Sequence, residues 1–174
     1  KAVFPDLLAA ALAASEQRPT APGVQLACAH HLRVMGYNLE AIGVLCRARG
    51  LVYVVDNTMT SPWLFRPTDV DASLVVNALT KYIGGHGNAL AGAITDTGRF
   101  DWTRYPNIAA PYRSAAPAMQ GITQLRKKGL RDFGATLAAE QAHHIAVGAE
   151  TLALRLDRIS ANAQALAETL QAHP

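Results

Sequence analysis

Two groups of polar residues, each following a short apolar run, have the types and spacing that could do chemistry. Leu51–Val55 precedes Asp56-Asn57-Thr58, and Leu74–Val76 precedes Asn77 and then Thr80-Lys81-Tyr82. The length and β-branched content of both runs predict buried parallel strands. In open α/β sheets ligands bind beyond the carboxyl ends of the strands. We therefore expect a carboxylate, a lysine and hydroxyl groups to meet at one edge of a sheet.

A lysine beside a carboxylate suits Schiff-base chemistry, in which an unprotonated amine attacks an aldehyde. Lys81 stands alone in the sequence, because no other lysine lies between Lys1 and Lys127. The turn Gly84-Gly85-His86-Gly87 follows at once, and its glycines would let the backbone pass close to a ligand. An ordinary lysine at the end of a strand has the same spacing, so spacing alone leaves both interpretations open.

Length and composition indicate one globular domain, or part of a larger one, with a core of its own. The chain has 174 residues, of which 50% are hydrophobic and 17% charged, and this composition argues against disorder. The net charge of +3 is mild. The one basic cluster, Arg126-Lys127-Lys128 with Arg131, favours a solvated helix face over a nucleic-acid patch. We expect no nucleic-acid partner.

Cysteine usage and hydropathy indicate a cytoplasmic chain without a membrane partner. Cys28 and Cys46 are isolated, with neither a disulfide framework nor metal-ligand spacing, as in a reducing compartment. The adjacent His30-His31 lack further ligands at suitable spacing, so we expect surface or packed histidines. No apolar run is long enough to span a bilayer, and no signal peptide is evident. Because the chain begins at Lys1 rather than methionine, we expect its native start to be missing.

Helix and strand patterns alternate along the chain, which is typical of α/β folds. Asn38 is expected to cap a helix that buries Leu39, Ile42, Leu45 and Cys46 and ends at Gly50. The other predicted elements are a helix at Asp6–Gln17, a strand at Ala89–Thr95, a helix at Met119–Gly129, and a long last helix with an apolar seam from Leu152 to Leu170. The seam favours core packing, with self-association as the alternative. Phe100–Pro111 is expected to form an irregular surface or interface loop.

The sequences VDNT (Val55–Thr58) and TKYIGGHG (Thr80–Gly87), about two dozen residues apart, resemble the cystathionine γ-synthase/γ-lyase and O-acetylhomoserine sulfhydrylase family. These are pyridoxal-phosphate enzymes of cysteine and methionine metabolism. The resemblance implies an α/β fold, part of a fold-type I large domain with a mainly parallel sheet flanked by helices and ending in a long helix. It implies that 34–174 form the C-terminal half of that domain, behind an atypical leading segment, 1–33. The domain's N-terminal half and the small C-terminal domain are expected to be absent.

The same resemblance implies roles for three residues. Lys81 would form the Schiff base with the cofactor aldehyde and then move protons on the substrate. Asp56 would face the pyridine nitrogen and keep it protonated, so that the ring withdraws electrons. Thr80 would donate a hydrogen bond to the cofactor phosphate. Ala78 stands where the family usually has a second phosphate-binding residue, a serine. His86 is better explained by the geometry of its turn than as a general base.

The sequence leaves three functions open. The first is a pyridoxal-phosphate enzyme that performs elimination or replacement on an amino-acid substrate of the O-acetylhomoserine or cystathionine type, as a homo-oligomer. The segments Gly98–Trp102, Gly129–Ala135 and Glu150–Arg155 look most like O-acetylhomoserine sulfhydrylases, with Arg155 structural rather than catalytic. The second is a truncated, inactive homologue that acts as a structural or oligomerisation module, because the family's phosphate loop, stacking tyrosine and carboxylate-binding arginine are not found here. The third, a nucleotide-binding domain, lacks a phosphate-loop pattern.

Overall fold

The computed structural model describes residues 38–173, so the helix predicted at Asp6–Gln17, the pair His30-His31 and the leading segment lie outside the described residues. The helices are α1 (Leu39–Arg49), α2 (Ser61–Leu64), α3 (Gln120–Gln124), α4 (Ala139–Glu150) and α5 (Leu152–Gln171), and the strands are β1 (Val54–Asp56), β2 (Leu74–Ala78) and β3 (Gly92–Asp96). A π-helical stretch, Leu125–Leu130, and a helical turn, Arg131–Phe133, extend α3. Over this range no helix combines the length and apolarity needed to cross a membrane.

Helix α1 begins and ends at the residues that local sequence signals predict. The Asn38 side chain accepts a hydrogen bond from the Ala41 backbone N–H at 3.0 Å, which satisfies one free donor of the first turn. Gly50 ends the helix in the left-handed conformation, with φ of 64°, which glycine adopts without a steric penalty. Both caps are therefore confirmed.

The three strands form one sheet in the order β1-β2-β3, and only one of its two pairings is parallel. β1 runs parallel to β2, with Asp56 opposite Val76, whereas β3 runs antiparallel to β2, with Gly92 opposite Ala78. The sheet in this part of the chain is thus mixed, and the expectation of a mainly parallel sheet needs this correction. A parallel neighbour requires a crossover, usually helical, and the connection from 79 to 91 is a glycine-containing turn without a helix.

The predicted first strand also starts later than expected, and the residue just before it is bonded to a side chain. The Tyr53 backbone N–H donates to Ser73 Oγ at 3.0 Å, and regular pairing starts only at Val54. At the other end the ladder continues one residue further and includes Asp56. The carboxylate therefore belongs to the last position of β1 rather than to the loop behind it.

Apolar clusters cover both faces of the parallel pair. On one face Tyr53 and Val55 pack with Leu39 of α1 and with Val70 and Ala72. On the other face Val54 and Leu74 pack with Trp102 and Ile108. Because strand side chains alternate between faces, this arrangement places Asp56 on the same face as Val54 and Val76.

The expectation that Phe100–Pro111 is a surface or interface loop was wrong for two of its residues, Trp102 and Ile108. Trp102 is only 4% exposed and Ile108 only 3%. The Trp102 indole N–H donates to Asp96 Oδ2 at 2.7 Å, and its ring meets Phe100 edge-on at 4.8 Å between centroids. An indole that buries its rings and satisfies its N–H stabilises a core even within irregular backbone.

The apolar seam of α5 packs into the core only at its beginning. Leu156 is 1% exposed, whereas Ile159, Leu166 and Leu170 are 42%, 59% and 62% exposed. Core packing therefore explains the first turns of the seam and not its second half. The long helix itself is confirmed at Leu152–Gln171.

Candidate functional site

The loop that follows β1 is hydrogen-bonded to the end of β2, and the residues after both strands form one rim of the sheet. The Asn57 N–H donates to the Val76 carbonyl at 2.8 Å, and the Ala78 N–H donates to Thr58 Oγ1 at 2.8 Å. The Thr58 side chain thus bonds the loop after β1 to the last residue of β2, a contact that the sequence spacing did not indicate. Since β1 and β2 are parallel, the residues after both strands lie at the same edge.

Asp56 reaches this rim half-buried and with one carboxylate oxygen committed. Its Oδ1 accepts a hydrogen bond from the Thr58 backbone N–H at 2.9 Å, an interaction that holds the start of the loop. No residue between 38 and 173 donates a hydrogen bond to its other oxygen in this structure. That oxygen can therefore accept a hydrogen bond from a ligand that lies on this face of the sheet.

Thr80 is half-buried, and its hydroxyl group is hydrogen-bonded to the backbone of Ala91, the residue just before β3. Its Oγ1 donates to the Ala91 carbonyl at 3.3 Å and accepts from the Ala91 N–H at 3.1 Å. A hydroxyl has a single proton, so donation to a phosphate requires leaving the Ala91 carbonyl. That bond is long for an O–H donor, and exchanging it for a charged acceptor is favourable.

Lys81 is exposed and begins a tightly hydrogen-bonded turn. Its carbonyl accepts from the Gly85 N–H at 2.7 Å, and the Leu79 carbonyl accepts from the Gly84 N–H at 2.8 Å. Gly85 has φ of 75°, so the turn depends on glycine at that position. The Nδ1 of His86 lies 2.8 Å from the Gly84 carbonyl, a contact within the turn that agrees with a structural role.

Asn57 holds the loop after β1 from inside the protein. Its Nδ2 donates to the Phe65 carbonyl at 3.1 Å, its Oδ1 accepts from the Thr60 hydroxyl, and it is 2% exposed. Ser61 follows with φ of 53°, uncommon for a residue other than glycine. Side chains of successive residues in a strand point to opposite faces of the sheet. Asn57 is therefore expected to point to the face opposite that of Asp56.

Helix α5 contacts both loops of the rim, which no local sequence pattern indicated. The Trp63 indole N–H donates to Asp157 Oδ1 at 2.8 Å, and Arg155 donates to the Tyr82 carbonyl at 2.8 Å. The first of these contacts joins α5 to α2, in the connection after β1, and the second joins it to the turn after β2. Side chains more than 70 residues away in sequence therefore hold the rim.

The described residues form an open groove of about 1070 Å³ beside the rim, along β3. It includes Thr80 and Val76 and has apolar walls that include Leu90, Ile94 and Leu137, but neither Asp56 nor Lys81. The three predicted site residues thus lie at one edge, and of the three only Thr80 lines this groove. In the same range no three His, Cys, Asp or Glu side chains are grouped to hold a metal ion.

The residues present fit an aldehyde cofactor with a basic ring nitrogen. An exposed primary amine and a carboxylate with an available oxygen follow neighbouring parallel strands, in a loop system held by backbone hydrogen bonds. The fit to a phosphate is weaker, because Ala78 has no donor side chain and Thr80 must change its partner. The fold and the rim together define an α/β protein of the pyridoxal-phosphate type.

Comparison with known proteins gives the class more closely. A model of the family described as Cys/Met metabolism PLP-dependent enzyme matches residues 32–174. The chain therefore belongs to that family. The family is pyridoxal-phosphate dependent, and this agrees with the carboxylate and lysine at the rim.

Relatives within the family include several O-acetylhomoserine sulfhydrylases. The O-acetyl-L-homoserine sulfhydrylase of Leptospira meyeri is 35% identical over 159 residues, a match that covers 79% of this chain and 35% of that protein. O-acetyl-L-homoserine sulfhydrylase 1 of Thermus thermophilus is 38% identical over 148 residues, again covering 79% of this chain and 35% of its own length. The chain thus spans about a third of the length of these relatives.

Solved structures share the fold. The O-acetylhomoserine sulfhydrylase of Wolinella succinogenes aligns with a TM-score of 0.70 at 36% identity, over 78% of this chain and 38% of that one. A Campylobacter jejuni structure described as an O-acetylhomoserine (thiol)-lyase, with N′-pyridoxyl-lysine-5′-monophosphate, aligns with a TM-score of 0.66 at 28% identity, over 79% and 37% of the two chains. The α/β architecture of a fold-type I enzyme is thereby confirmed.

Proposed function

We propose that this chain contributes the lysine half of a pyridoxal-phosphate site that performs elimination or replacement on a sulfur-related amino acid. O-acetylhomoserine is the favoured substrate, since the relatives named above are sulfhydrylases of that compound. The observation that carries the proposal is the parallel pairing of β1 and β2, which brings Asp56 and the Lys81 turn to one edge. In this proposal 34–174 are the C-terminal half of the large domain and 1–33 its leading segment.

Each of the three residues has a task that its surroundings support. Lys81 would hold the cofactor through its amine and, once free, would hold and transfer the proton at the substrate's α- and β-carbons. The available oxygen of Asp56 would accept a hydrogen bond from the ring N–H, and its negative charge would favour the protonated ring. Thr80 would donate a hydrogen bond from its hydroxyl group to the phosphate in place of the Ala91 carbonyl. When bound, the cofactor supplies an electron sink for the carbanion at the substrate.

Covalent capture of the cofactor tests this function at a single residue. We expect the purified chain, mixed with pyridoxal phosphate and then reduced with borohydride, to carry one adduct on Lys81, located by peptide mass spectrometry. Lys81→Ala should abolish that adduct, because no second amine occupies the turn. Lys127→Ala removes an equally exposed lysine and should leave it unchanged. Labelling spread evenly over Lys81, Lys127 and Lys128 would contradict the proposal.

The alternative is an inactive homologue that serves as a structural or oligomerisation module. Its support in the chain by itself is that neither Asp56 nor Lys81 lines the groove beside β3. The sulfhydrylase relatives favour the enzyme over this alternative. Turnover of O-acetylhomoserine by the purified chain would exclude this alternative. Capture on Lys81 without turnover would support a half-site that needs further residues from another chain or segment.

A further inference from the structure

The guanidinium of Arg155 lies against the turn that carries Lys81. Arg155 is half-buried in the first turn of α5, and all three of its nitrogens donate hydrogen bonds. Nη1 donates to the Tyr82 carbonyl at 2.8 Å, and Nη2 donates to the Ile83 carbonyl at 3.3 Å and to the Gly148 carbonyl at 2.8 Å. Nε donates to Thr151 Oγ1 at 3.0 Å. One side chain thus joins the turn to the end of α4.

The two carbonyls from the turn are those of the residues directly after Lys81. Hydrogen bonds from a charged donor to backbone carbonyls are about twice as strong as those between neutral groups. A planar fork that holds two successive carbonyls also fixes the orientation of the peptide planes between them. The backbone from which the Lys81 side chain extends is therefore held on its C-terminal side by Arg155.

The turn is closely packed against Arg155 and α4. A side chain at Gly85 would overlap the Arg155 guanidinium, and a side chain at Gly148 would overlap the Gly84 carbonyl. Helix α4 therefore packs backbone against backbone on the turn. Close packing of this kind allows only discrete arrangements, so the contact either forms completely or is lost.

We propose that Arg155 is the positioning residue of the Lys81 amine. It holds the Tyr82–Gly85 backbone so that the amine meets the cofactor aldehyde at the edge shared with Asp56. This inference rests on the proposed function of Lys81 and gives Arg155 a role at the site that goes beyond general support of the fold. Arg155 acts through the turn and touches no reacting atom.

The experiment compares Arg155→Ala and Arg155→Lys with Arg158→Ala, which removes an exposed arginine from the same helix. The first readout is hydrogen exchange of the Gly84 and Gly85 amides in the chain without cofactor, since both donate within the turn. Exchange should be at least roughly tenfold faster in Arg155→Ala, the fold-change that corresponds to losing one hydrogen bond to a charged donor. Arg155→Lys should behave similarly, because an ammonium cannot hold two carbonyls as a fork does.

The second readout is the rate at which Lys81 captures pyridoxal phosphate, measured by borohydride trapping over time. We expect it to fall by about tenfold in both Arg155 variants, in parallel with the exchange result, and to stay unchanged in Arg158→Ala. If Arg155→Ala does not fold, its amides exchange rapidly throughout and Arg155→Lys decides.

Three results would overturn the inference. These are unchanged exchange at Gly84 and Gly85, faster exchange that extends equally through β2 and α1, and faster exchange in the turn with an unchanged capture rate. A wild-type chain that captures no cofactor would instead overturn the proposed function. Because the exchange measurement uses the chain without cofactor, the two failures are distinguishable.

Discussion

Asp56 is the last residue of β1 and also the carboxylate of the proposed site at the rim. One of its oxygens holds the Thr58 N–H and the other remains available to a ligand. Asp56→Asn keeps an oxygen for Thr58 and removes the charge that would face the ring nitrogen. We expect this variant to bind pyridoxal phosphate about tenfold more weakly, the scale of one hydrogen bond to a charged group. An absorbance titration measures the affinity.

Asp69→Asn is the control, since Asp69 is exposed in the short helix Pro67–Val70. The same loss of charge at that position should leave the cofactor affinity unchanged. Equal affinities for the wild type and both variants would contradict the role given to Asp56.

Tyr53 makes the stability of the protein sensitive to alkaline pH. It is fully buried, no residue in the described range hydrogen-bonds its hydroxyl, and burial raises its pKa to about 12, with a smaller Coulombic contribution from Cys46. In the unfolded chain a tyrosine releases its proton near pH 10. The native state holds the proton more tightly, so this contribution to stability is complete below about pH 10 and is lost as the pH rises towards 12.

Tyr53→Phe removes both the titration and a buried hydroxyl without a partner. We expect its free energy of unfolding at pH 8 to stay within about 1 kcal/mol of the wild type or to increase. Between pH 9.5 and about 11.5 it should lose less stability than the wild type. Urea denaturation at several pH values measures both effects.

At the scale of elements, the contact between α4 and the turn after β2 depends on the glycine at position 148. A Cβ at Gly148 would overlap the Gly84 carbonyl, an atom of the backbone that cannot move aside cheaply. We expect Gly148→Ala to reduce the free energy of unfolding by about 1–3 kcal/mol or more, as overpacking does. Thermal or urea denaturation followed by circular dichroism gives the value.

Gly129 offers the matched comparison, because a Cβ there would meet no atom within 4 Å. Gly129→Ala should therefore be neutral or stabilise the helical segment by up to about 1 kcal/mol, since alanine is the better helix former. Equal destabilisation by both substitutions would show that the effect at Gly148 does not come from the packing of α4 on the turn.

Elements that depend on local signals could be predicted from the sequence, and those that depend on long-range packing could not. Asn38 and Gly50 act on hydrogen bonds within a few residues, and both caps are where the sequence predicts them. The direction of β3 depends on how its connection returns to β2. Trp102 lies in a segment without regular periodicity, yet its burial depends on residues as distant as Leu74.

The site divides in the same way. The edge shared by Asp56 and Lys81 follows from two apolar runs and their order, so it could be predicted. The partner of the Thr80 hydroxyl and the inward position of Asn57 depend on the three-dimensional course of the loops. Arg155 was recognisable as structural, but its contact with the Lys81 turn spans 73 residues and has no local signal.

For the whole molecule, the second half of α5 presents exposed apolar side chains. Leu166 and Leu170 are more than half exposed, whereas Leu156 is buried. We expect Leu156→Ala to cost about 2–5 kcal/mol of stability. The double change Leu166→Glu, Leu170→Glu should leave the stability of the protomer within about 0.5 kcal/mol, as is usual for exposed positions.

The same double variant tests the expectation that the protein is a homo-oligomer. We expect the wild type to sediment above the monomer mass and the double variant to lose mass. Ala161→Glu places a charge on the opposite side of the helix and should keep the wild-type mass. A wild type that is monomeric at all concentrations would contradict self-association, and a double variant of unchanged mass would exclude this face as the interface.

The contacts of α5 with the rim have a consequence for the order in which the protein folds during synthesis. β1, β2 and the turn are made early, but the arginine that holds the turn follows Tyr82 by 73 residues, and Asp157 follows Trp63 by 94. At about 5–20 residues per second of synthesis, the turn waits roughly 4–15 seconds for its arginine. The strands can pair during that interval, whereas the lysine edge takes its final form only after α5 has docked. In a nascent chain halted before residue 155, we thus expect the sheet to be formed and the turn after Lys81 to lack its final conformation.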